Sequence, residues 1–154
     1  MAVRTARFLT ELRKFAAVGL DSAVLIYHLE DTKPYSDLSE AAFAAIAAGV
    51  PRAVLSTVSV TALLVRPFAK SEPARVDTFE RFLLSLPNAI LRAPDYATAK
   101  EAARLRARYG IRTPDALLVA AARTEGAEAL VTNDASLRKL KAEGLTVLVL
   151  DDYV

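Results

Sequence analysis

Three aspartates occupy positions from which their carboxylates could bind a metal ion together. Asp21 follows the apolar run AVGL, Asp134 follows ALVTN, and Asp115 is the second residue after Thr113 in a helix start of the form TPD. Taken singly, each could simply cap a helix or favour its dipole. Brought within a few ångströms, they would raise each other's pKa and destabilise the fold unless a cation neutralised them. The three together therefore indicate a bound metal ion.

The available donor atoms restrict which metal this would be. The chain has no cysteine and a single histidine, His28, whose apolar surroundings favour a packed, hydrogen-bonded role. Ligation by oxygen alone suits a hard cation such as Mg²⁺ or Mn²⁺, which also engages substrate phosphate. Such an ion can activate water for in-line attack on phosphorus without a protein nucleophile, so phosphodiester hydrolysis is the indicated reaction.

These aspartates need a fold that brings them to one edge. From Ala17 onward, short apolar runs alternate with longer amphipathic ones, a pattern typical of parallel strands joined by helices. The predicted strands are AVGL, AVLST, AILR, ALVT and LTVLVL, about five in a mostly parallel sheet. Ligands of such sheets lie outside the carboxyl ends of the strands, where Asp21 and Asp134 are expected. A helix beginning beside them would aim Asp115 into the same crevice.

Capping and breaking residues predict the helix boundaries. Thr113 is the predicted N-cap of the helix that carries Asp115, with Pro114 in its first turn. Pro67 is expected to end the helix SVTALLV, and Gly144 to close a helix over ASLRKLKAE. Residues 4–16 place apolar side chains at helical spacing, so we expect an amphipathic helical extension over 1–16 and one main domain over 17–154.

Size and composition agree with a single folded unit. The 154 residues are 53% hydrophobic and 25% charged, which excludes disorder. Charged residues interrupt every apolar run before the roughly 20 residues needed to cross a bilayer, so no membrane is expected to be involved. Glu11 and Lys14 break the apolar stretch that a signal peptide needs, which makes the cytoplasm the expected location. A net charge of +2 is too small to argue for nucleic-acid binding by itself.

Other chemistries lack their motifs. Gly19 stands alone after the first predicted strand, and neither GxGxxG nor GxxxxGKS/T occurs, which argues against a nucleotide-binding loop. The serine-hydrolase motif GxSxG is also absent. A nuclease or a binding module remains.

Four motifs occur in order along the chain: LDSAVLIYHLE, STVSVTALLVRP, RTPDALLVAAA and LVTNDASLRKL. With them the chain resembles the PIN domains, in particular the VapC-type toxin nucleases of type II toxin–antitoxin pairs, over residues 17–152. The resemblance implies a three-layer α/β/α PIN-like fold and a Mg²⁺- or Mn²⁺-dependent endoribonuclease that cleaves RNA. It also implies a cognate antitoxin protein and a homodimer. The alanine-rich runs AAFAAIAA and LLVAAA would allow close helix packing, within the core or across a two-fold interface.

Carried over position by position, Asp21, Asp115 and Asp134 resemble the family's metal-binding and catalytic carboxylates. The residues that resemble its supporting positions are Ser22, Thr132 and Asn133. Independently of the resemblance, three arginines are candidates for contacts to substrate phosphate. These are Arg112, Arg108 and Arg66.

The second motif departs from the family pattern at one position. Ala62 stands where the family usually has Glu, and no neighbouring acid replaces it. Losing a carboxylate lowers the negative charge of the site and could weaken metal binding or misplace the attacking water. Three explanations fit: a naturally divergent nuclease, a catalytically silent protein that binds RNA or an antitoxin, and a Glu-to-Ala change made for expression.

Overall fold

Strands and helices alternate along the chain, and the computed structural model describes residues 3–154. The strands are β1 (Ala17–Leu20), β2 (Arg52–Ser56), β3 (Ala89–Arg92), β4 (Ala129–Thr132) and β5 (Thr146–Val149). The α-helices are α1 (Val3–Leu12), α2 (Ser22–Leu29), α3 (Tyr35–Ala47), α4 (Val58–Ala69), α5 (Pro73–Ser85), α6 (Tyr96–Tyr109) and α7 (Thr113–Thr124). Two 3-10 helices, Ala135–Glu143 and Leu150–Tyr153, lie on either side of β5. Within residues 3–154, no helix has the length and apolar character needed to cross a membrane.

The strands form one parallel sheet in the order β3-β2-β1-β4-β5. β1 is central, because Val18 pairs with Ala53 of β2 on one side and with Ala129 of β4 on the other. Every residue of β1 and β4 is buried, as expected for a parallel sheet that is covered on both faces. The predicted sheet of about five mostly parallel strands is confirmed.

Helices cover both faces of the sheet and complete the three layers. On one face, α1, α2 and α3 bury Phe8, Leu25 and Ile46 in a common apolar cluster with the strands. On the other face, α6 and α7 bury Leu105 and Val119 in a second cluster. Helix α4 contacts both α2 and α7. The expected α/β/α architecture is therefore confirmed.

Gly19 allows α7 to lie unusually close to the centre of the sheet. A Cβ atom placed on Gly19 would lie 2.9 Å from the Cβ of Ala122 and 3.3 Å from Cδ1 of Leu130. No side chain fits at the first of these distances without a shift of the backbone. The glycine in β1 and the alanine in α7 therefore set the separation between the two elements that carry Asp21 and Asp115.

The N-terminal helix shares the core of the sheet. Phe8 and Leu12 of α1 are completely buried, and the ring of Phe8 meets the ring of Tyr153 edge-on with a centroid separation of 5.1 Å. The helix predicted over residues 4–16 spans Val3–Leu12, because the chain turns through Arg13 and Lys14 to enter β1 at Ala17. The first and last helices of the described chain thus pack against each other.

Pro67 does not end α4, contrary to the prediction from sequence. The helix continues to Ala69, with the N–H of Lys70 donating to the carbonyl of Arg66. A proline inside a helix removes one N–H donor and crowds the preceding turn. Here it stands in the last turn, so little helix remains for it to disrupt.

Two further predicted boundaries need correction. Arg112, not Thr113, is the N-cap of α7, since its extended backbone precedes the first helical bond, from the N–H of Ala116 to the carbonyl of Arg112. The segment Ala135–Glu143 is a 3-10 helix, although Gly144 closes it in the left-handed conformation as predicted. The tighter winding suits a short connection between β4 and β5.

Candidate metal-binding and active site

The strand order creates a crevice between β1 and β4. The chain leaves β1 towards β2 on one side, whereas β4 and β5 lie on the other side, so the direction of winding changes at this point. In open parallel sheets, ligands bind at such a switch point, outside the carboxyl ends of the strands. Asp21 directly follows β1, and Asp134 lies two residues beyond the end of β4.

One buried hydroxyl connects Asp21 with the turn that carries Asp134. Thr132 is fully buried, and its Oγ1 donates to Oδ2 of Asp21 at 2.6 Å. The same oxygen accepts from the backbone N–H of Asp134 at 3.1 Å. Ser22 Oγ donates to the other carboxylate oxygen of Asp21 at 3.3 Å. The Asp21 side chain makes no capping hydrogen bond to α2, so its carboxylate is directed to the crevice and not used as a cap.

Asp134 combines a structural and an electrostatic role. Its Oδ1 accepts from the backbone N–H of Ser136 at 2.9 Å and so caps the 3-10 helix that follows. Hydrogen bonds from Ser136 hold the pKa of Asp134 below its ordinary value, and the charges of Arg112 and Lys139 act in the same direction. The capping interpretation is therefore correct for this aspartate, which is ionised at neutral pH.

Asp115 lies in the first turn of α7 with only 5% of its surface exposed. Burial raises its pKa, and the charges of Asp21 and Asp134 raise it further. Arg112 opposes this effect, because its Nε donates to Oδ2 of Asp115 at 3.2 Å, yet the net direction is upward. Asp115 is thus close enough to both other aspartates to be repelled by their charges.

A cleft of about 140 Å³ is lined by Asp21 and Asp115, whereas Asp134 is not among its lining residues. Its polar lining residues include Asp21, Ser22, Arg112 and Asp115, and Ala62 of α4 also lines it. Ser59, which is 5% exposed, also lines the cleft and was not recognised from the sequence. Its spacing of three residues from Ala62 on one helix would have indicated it, since such residues share a face.

Asn133 supports the turn between Thr132 and Asp134. Its Nδ2 donates to the hydroxyl of Tyr27 at 3.2 Å, and its Oδ1 accepts from the backbone N–H of Asp151 at 2.9 Å. Both ends of the amide are therefore engaged away from the carboxylates. Asn133 fixes the position of the turn by joining it to α2 and to the C-terminal 3-10 helix.

The remaining candidates lie in different surroundings. Arg108 pairs with Glu143 at 3.6 Å, within an ion cluster of α6, α7 and the first 3-10 helix, and it does not line the cleft. Arg66 stands one helical turn beyond Ala62 on the same face of α4 and pairs with Glu30 at 3.2 Å. His28 packs between the rings of Phe43 and Phe82, and burial lowers its pKa. Of the three arginines, Arg112 alone lines the cleft together with Asp21 and Asp115.

The donor set fits a hard divalent cation. Within residues 3–154, no group of three or more acidic or histidine side chains is gathered tightly enough to enclose a metal ion. Mg²⁺ commonly needs only one or two protein carboxylates, because it retains waters and binds substrate phosphate. Asp115 is buried beside two like charges, so a bound cation would stabilise its ionised form. The residues present therefore fit Mg²⁺ or Mn²⁺ in a partly hydrated site.

The fold and the site define a parallel α/β protein with carboxylates at the switch point of its sheet. Residues 18–143 match the family model described as the PIN domain. Because this match spans most of the chain, the protein belongs to the PIN domain family. A search among curated proteins gave no match.

Several solved structures share the fold. A chain of VapBC2 from Rickettsia felis, bound to a promoter DNA fragment, superposes with a TM-score of 0.64 and 16% identity over 86% of this chain and 98% of that chain. A chain of DNA-bound VapBC from Salmonella typhimurium superposes with a TM-score of 0.64 and 17% identity, over 87% of this chain and 98% of that chain. A chain of a toxin–antitoxin complex from Klebsiella pneumoniae superposes with a TM-score of 0.62 and 17% identity, over 86% of this chain and 97% of that chain. At this level of identity the likeness concerns the fold.

Proposed function

We propose that this PIN domain protein is a Mg²⁺- or Mn²⁺-dependent endoribonuclease, the toxin component of a toxin–antitoxin pair. The observation that carries the proposal is the position of Asp115, buried beside Asp21 and Asp134 at the switch point of the sheet. Carboxylates so placed are stabilised by a cation and can present it to a phosphodiester. The fold shared with chains of VapBC complexes supports the toxin assignment.

Each residue of the site has a role in this reaction. Asp21, Asp115 and Asp134 would hold a partly hydrated ion, directly or through its waters, and when bound the ion would supply Lewis-acid stabilisation of the charge developing on the phosphodiester oxygens. Thr132 and Ser22 fix the carboxylate of Asp21 through their hydroxyls. In the hydrolysis, the oxygen of water forms a bond to phosphorus, and the bond from phosphorus to the leaving ribose oxygen breaks. The leaving oxygen takes up a proton.

The partners follow from the same assignment. RNA is the proposed substrate, with Arg112 at the cleft and Arg66 on the adjoining face of α4 as contacts to its phosphates. A cognate antitoxin would block the cleft, and two copies of the chain would form a homodimer. We place this activity in the cytoplasm, where RNA and a co-expressed antitoxin are present.

Restoring a carboxylate on α4 tests the proposal. Ala62 is exposed and lines the cleft, so the variant Ala62→Glu gains an acid in the same cleft as Asp21 and Asp115. We expect this variant to cleave RNA in Mn²⁺ faster than the parent chain, by about 100-fold or more, as is usual for a positioned catalytic carboxylate. Cleavage of a labelled single-stranded RNA measures the effect.

The control is the double variant Ala62→Glu, Asp115→Ala, which should be inactive. Cleavage by the parent chain as well would show that three aspartates suffice. Absence of cleavage by the parent and by Ala62→Glu would reject the nuclease assignment.

A second candidate function rests on the same alanine. Because Ala62 leaves one wall of the cleft without a carboxylate, the chain could be a catalytically silent PIN protein that binds RNA or an antitoxin. Titration calorimetry separates the two functions. Binding of Mg²⁺ or Mn²⁺ at millimolar concentration or below supports the nuclease, whereas absence of binding favours the silent module.

A further inference from the structure

The side chain of Arg112 covers the most deeply buried carboxylate of the site. Its Nε donates to Oδ2 of Asp115 at 3.2 Å. The arginine side chain is 77% exposed, whereas the aspartate side chain is 6% exposed. The guanidinium therefore lies on the solvent side of Asp115, between this carboxylate and the water through which an ion would arrive.

Arg112 is also the cation of the cleft. Among the described residues that line it, Asp21 and Asp115 are negative and Arg112 alone is positive. The guanidinium is within electrostatic reach of Asp134 as well as of Asp21. In the absence of a metal ion, this side chain opposes the repulsion that Asp115 experiences from Asp21 and Asp134.

The local structure allows the guanidinium of Arg112 to move away from Asp115. Arg112 is the N-cap of α7, with an extended backbone outside the helix proper. Its ion pair with Asp115 is the one salt bridge it makes within residues 3–154. Because the arginine side of this pair is exposed to water, its guanidinium can exchange with another cation.

We propose that Arg112 is a built-in counter-cation of the metal site, which a divalent ion must displace from Asp115 in order to bind. This inference rests on the proposed role of Asp115 as a metal ligand. A guanidinium and a divalent cation at one carboxylate repel each other, so occupation by one weakens occupation by the other. Once displaced, Arg112 stands at the rim of the cleft, where an RNA phosphate would meet it.

Calorimetric titration with Mn²⁺ alone measures the competition. We expect Arg112→Gln to bind Mn²⁺ about 3- to 10-fold more tightly than the parent chain, because the exchange no longer includes breaking an ion pair. Arg112→Lys retains the positive charge and should bind less tightly than Arg112→Gln. Arg81→Gln removes an exposed arginine of α5 that does not line the cleft, and its affinity should equal that of the parent.

Thermal unfolding in EDTA gives a second, metal-free measurement. Arg112→Gln should have a lower Tm than Arg81→Gln, because the carboxylates lose their counter-charge. Added Mn²⁺ should then raise its Tm by more than it raises that of the parent. A variant that unfolds at the parent's temperature in EDTA would contradict the counter-cation role.

The outcomes separate this inference from the proposed function. Equal or weaker Mn²⁺ binding by Arg112→Gln overturns the inference, and so does absence of binding by both proteins. Tighter binding by Arg112→Gln combined with no RNA cleavage by Ala62→Glu would support the counter-cation while rejecting the nuclease. RNA cleavage by Ala62→Glu combined with an unchanged Mn²⁺ affinity of Arg112→Gln would support the nuclease and reject the counter-cation.

Discussion

The three carboxylates of the site differ because their hydrogen-bond partners differ. Asp134 is stabilised as an anion by the N–H of Ser136, and Asp21 accepts from the hydroxyls of Thr132 and Ser22. Asp115 has only the exposed guanidinium of Arg112 to compensate its burial. The charged form of Asp115 is therefore less well stabilised in the folded protein than that of Asp134, and a bound cation would stabilise it.

This imbalance predicts how stability depends on pH. Burial and the neighbouring aspartates raise the pKa of Asp115 above its unfolded value. The stability that protonated Asp115 contributes is then complete below the unfolded pKa and is lost as pH rises through the folded pKa. Asp115→Asn resembles the protonated form at every pH. In EDTA at neutral pH this variant should have a Tm a few degrees above that of the parent, and the difference should shrink towards pH 4.

Asp77→Asn is the matched control, because Asp77 is an exposed aspartate on α5 outside the cleft. It should leave the Tm of the parent unchanged across the same pH range. Added Mn²⁺ should stabilise the parent and not Asp115→Asn. A parent that is as stable as Asp115→Asn at neutral pH would show that Asp115 is not destabilised by its neighbours.

Residue spacing predicted which aspartates form the site but not the hydrogen bonds that hold them. Asp21 and Asp134 were predictable because residues that follow parallel strands reach one edge of the sheet. The bond from Thr132 to Asp21 joins residues 111 positions apart, and no local pattern encodes such a pair. The pair of Arg112 with Asp115 has the spacing of three residues that helical ion pairs use, so the sequence did contain that signal.

At the scale of elements, the placement of α7 on β1 determines where Asp115 lies relative to Asp21. The contact is between Gly19 and Ala122, two residues with little or no side chain. The run LLVAAA, which ends at Ala122, predicted that α7 could pack closely, but nothing in the sequence pattern identified Gly19 as the residue that it meets. Pro67 was likewise expected to end α4, but it lies in the last turn, where little helix remains for it to disrupt.

A substitution at this contact tests its importance. Gly19→Ala would place two Cβ atoms 2.9 Å apart, so α7 must shift. Overpacking of this kind costs about 1–3 kcal/mol in the free energy of unfolding. Urea unfolding should therefore show a lower stability, and calorimetry a weaker affinity for Mn²⁺, since Asp115 moves with α7.

The reciprocal change supplies the control. Ala122→Gly alone should cost about 1 kcal/mol, the usual penalty for glycine in a helix. The double variant Gly19→Ala, Ala122→Gly moves the Cβ from one element to the other and removes the clash. It should be more stable than the sum of the two single changes predicts, by about 1 kcal/mol or more. If the changes in unfolding free energy of the two single variants simply add in the double variant, the contact does not determine the position of α7.

At the scale of the whole molecule, the alanine-rich faces are used inside the monomer. Ala42 and Ala45 of α3 are buried in the cluster with α1, and Ala120 and Ala122 of α7 are buried in clusters with strand residues. Of the two uses that the sequence left open, the structure shows packing within the core. The N-terminal helix likewise adds its apolar face to this core, although it lies outside the residues matched to the family. A homodimer therefore has to bury another surface.

Helix α4 offers that surface. An open apolar groove on this helix is lined by Val60, Leu64, Val65 and Phe68, and the last two are 57% and 65% exposed. Exposed apolar side chains gathered on one helix are typical of protein interfaces. Two copies related by a two-fold axis could pack their grooves together, since such an interface joins the same patch on both subunits.

The groove leads to a prediction of oligomeric state. We expect the parent chain to scatter X-rays as a dimer at micromolar concentration, and Phe68→Asp to scatter as a monomer, because a charge in an apolar interface is left unpaired. Leu84→Asp changes a residue of α5 that is 72% exposed and does not line the groove, so this variant should remain dimeric. A monomeric parent would refute the dimer. Dissociation by both substitutions would move the interface to a surface that includes α5, whereas a dimeric Phe68→Asp would place it elsewhere on the molecule.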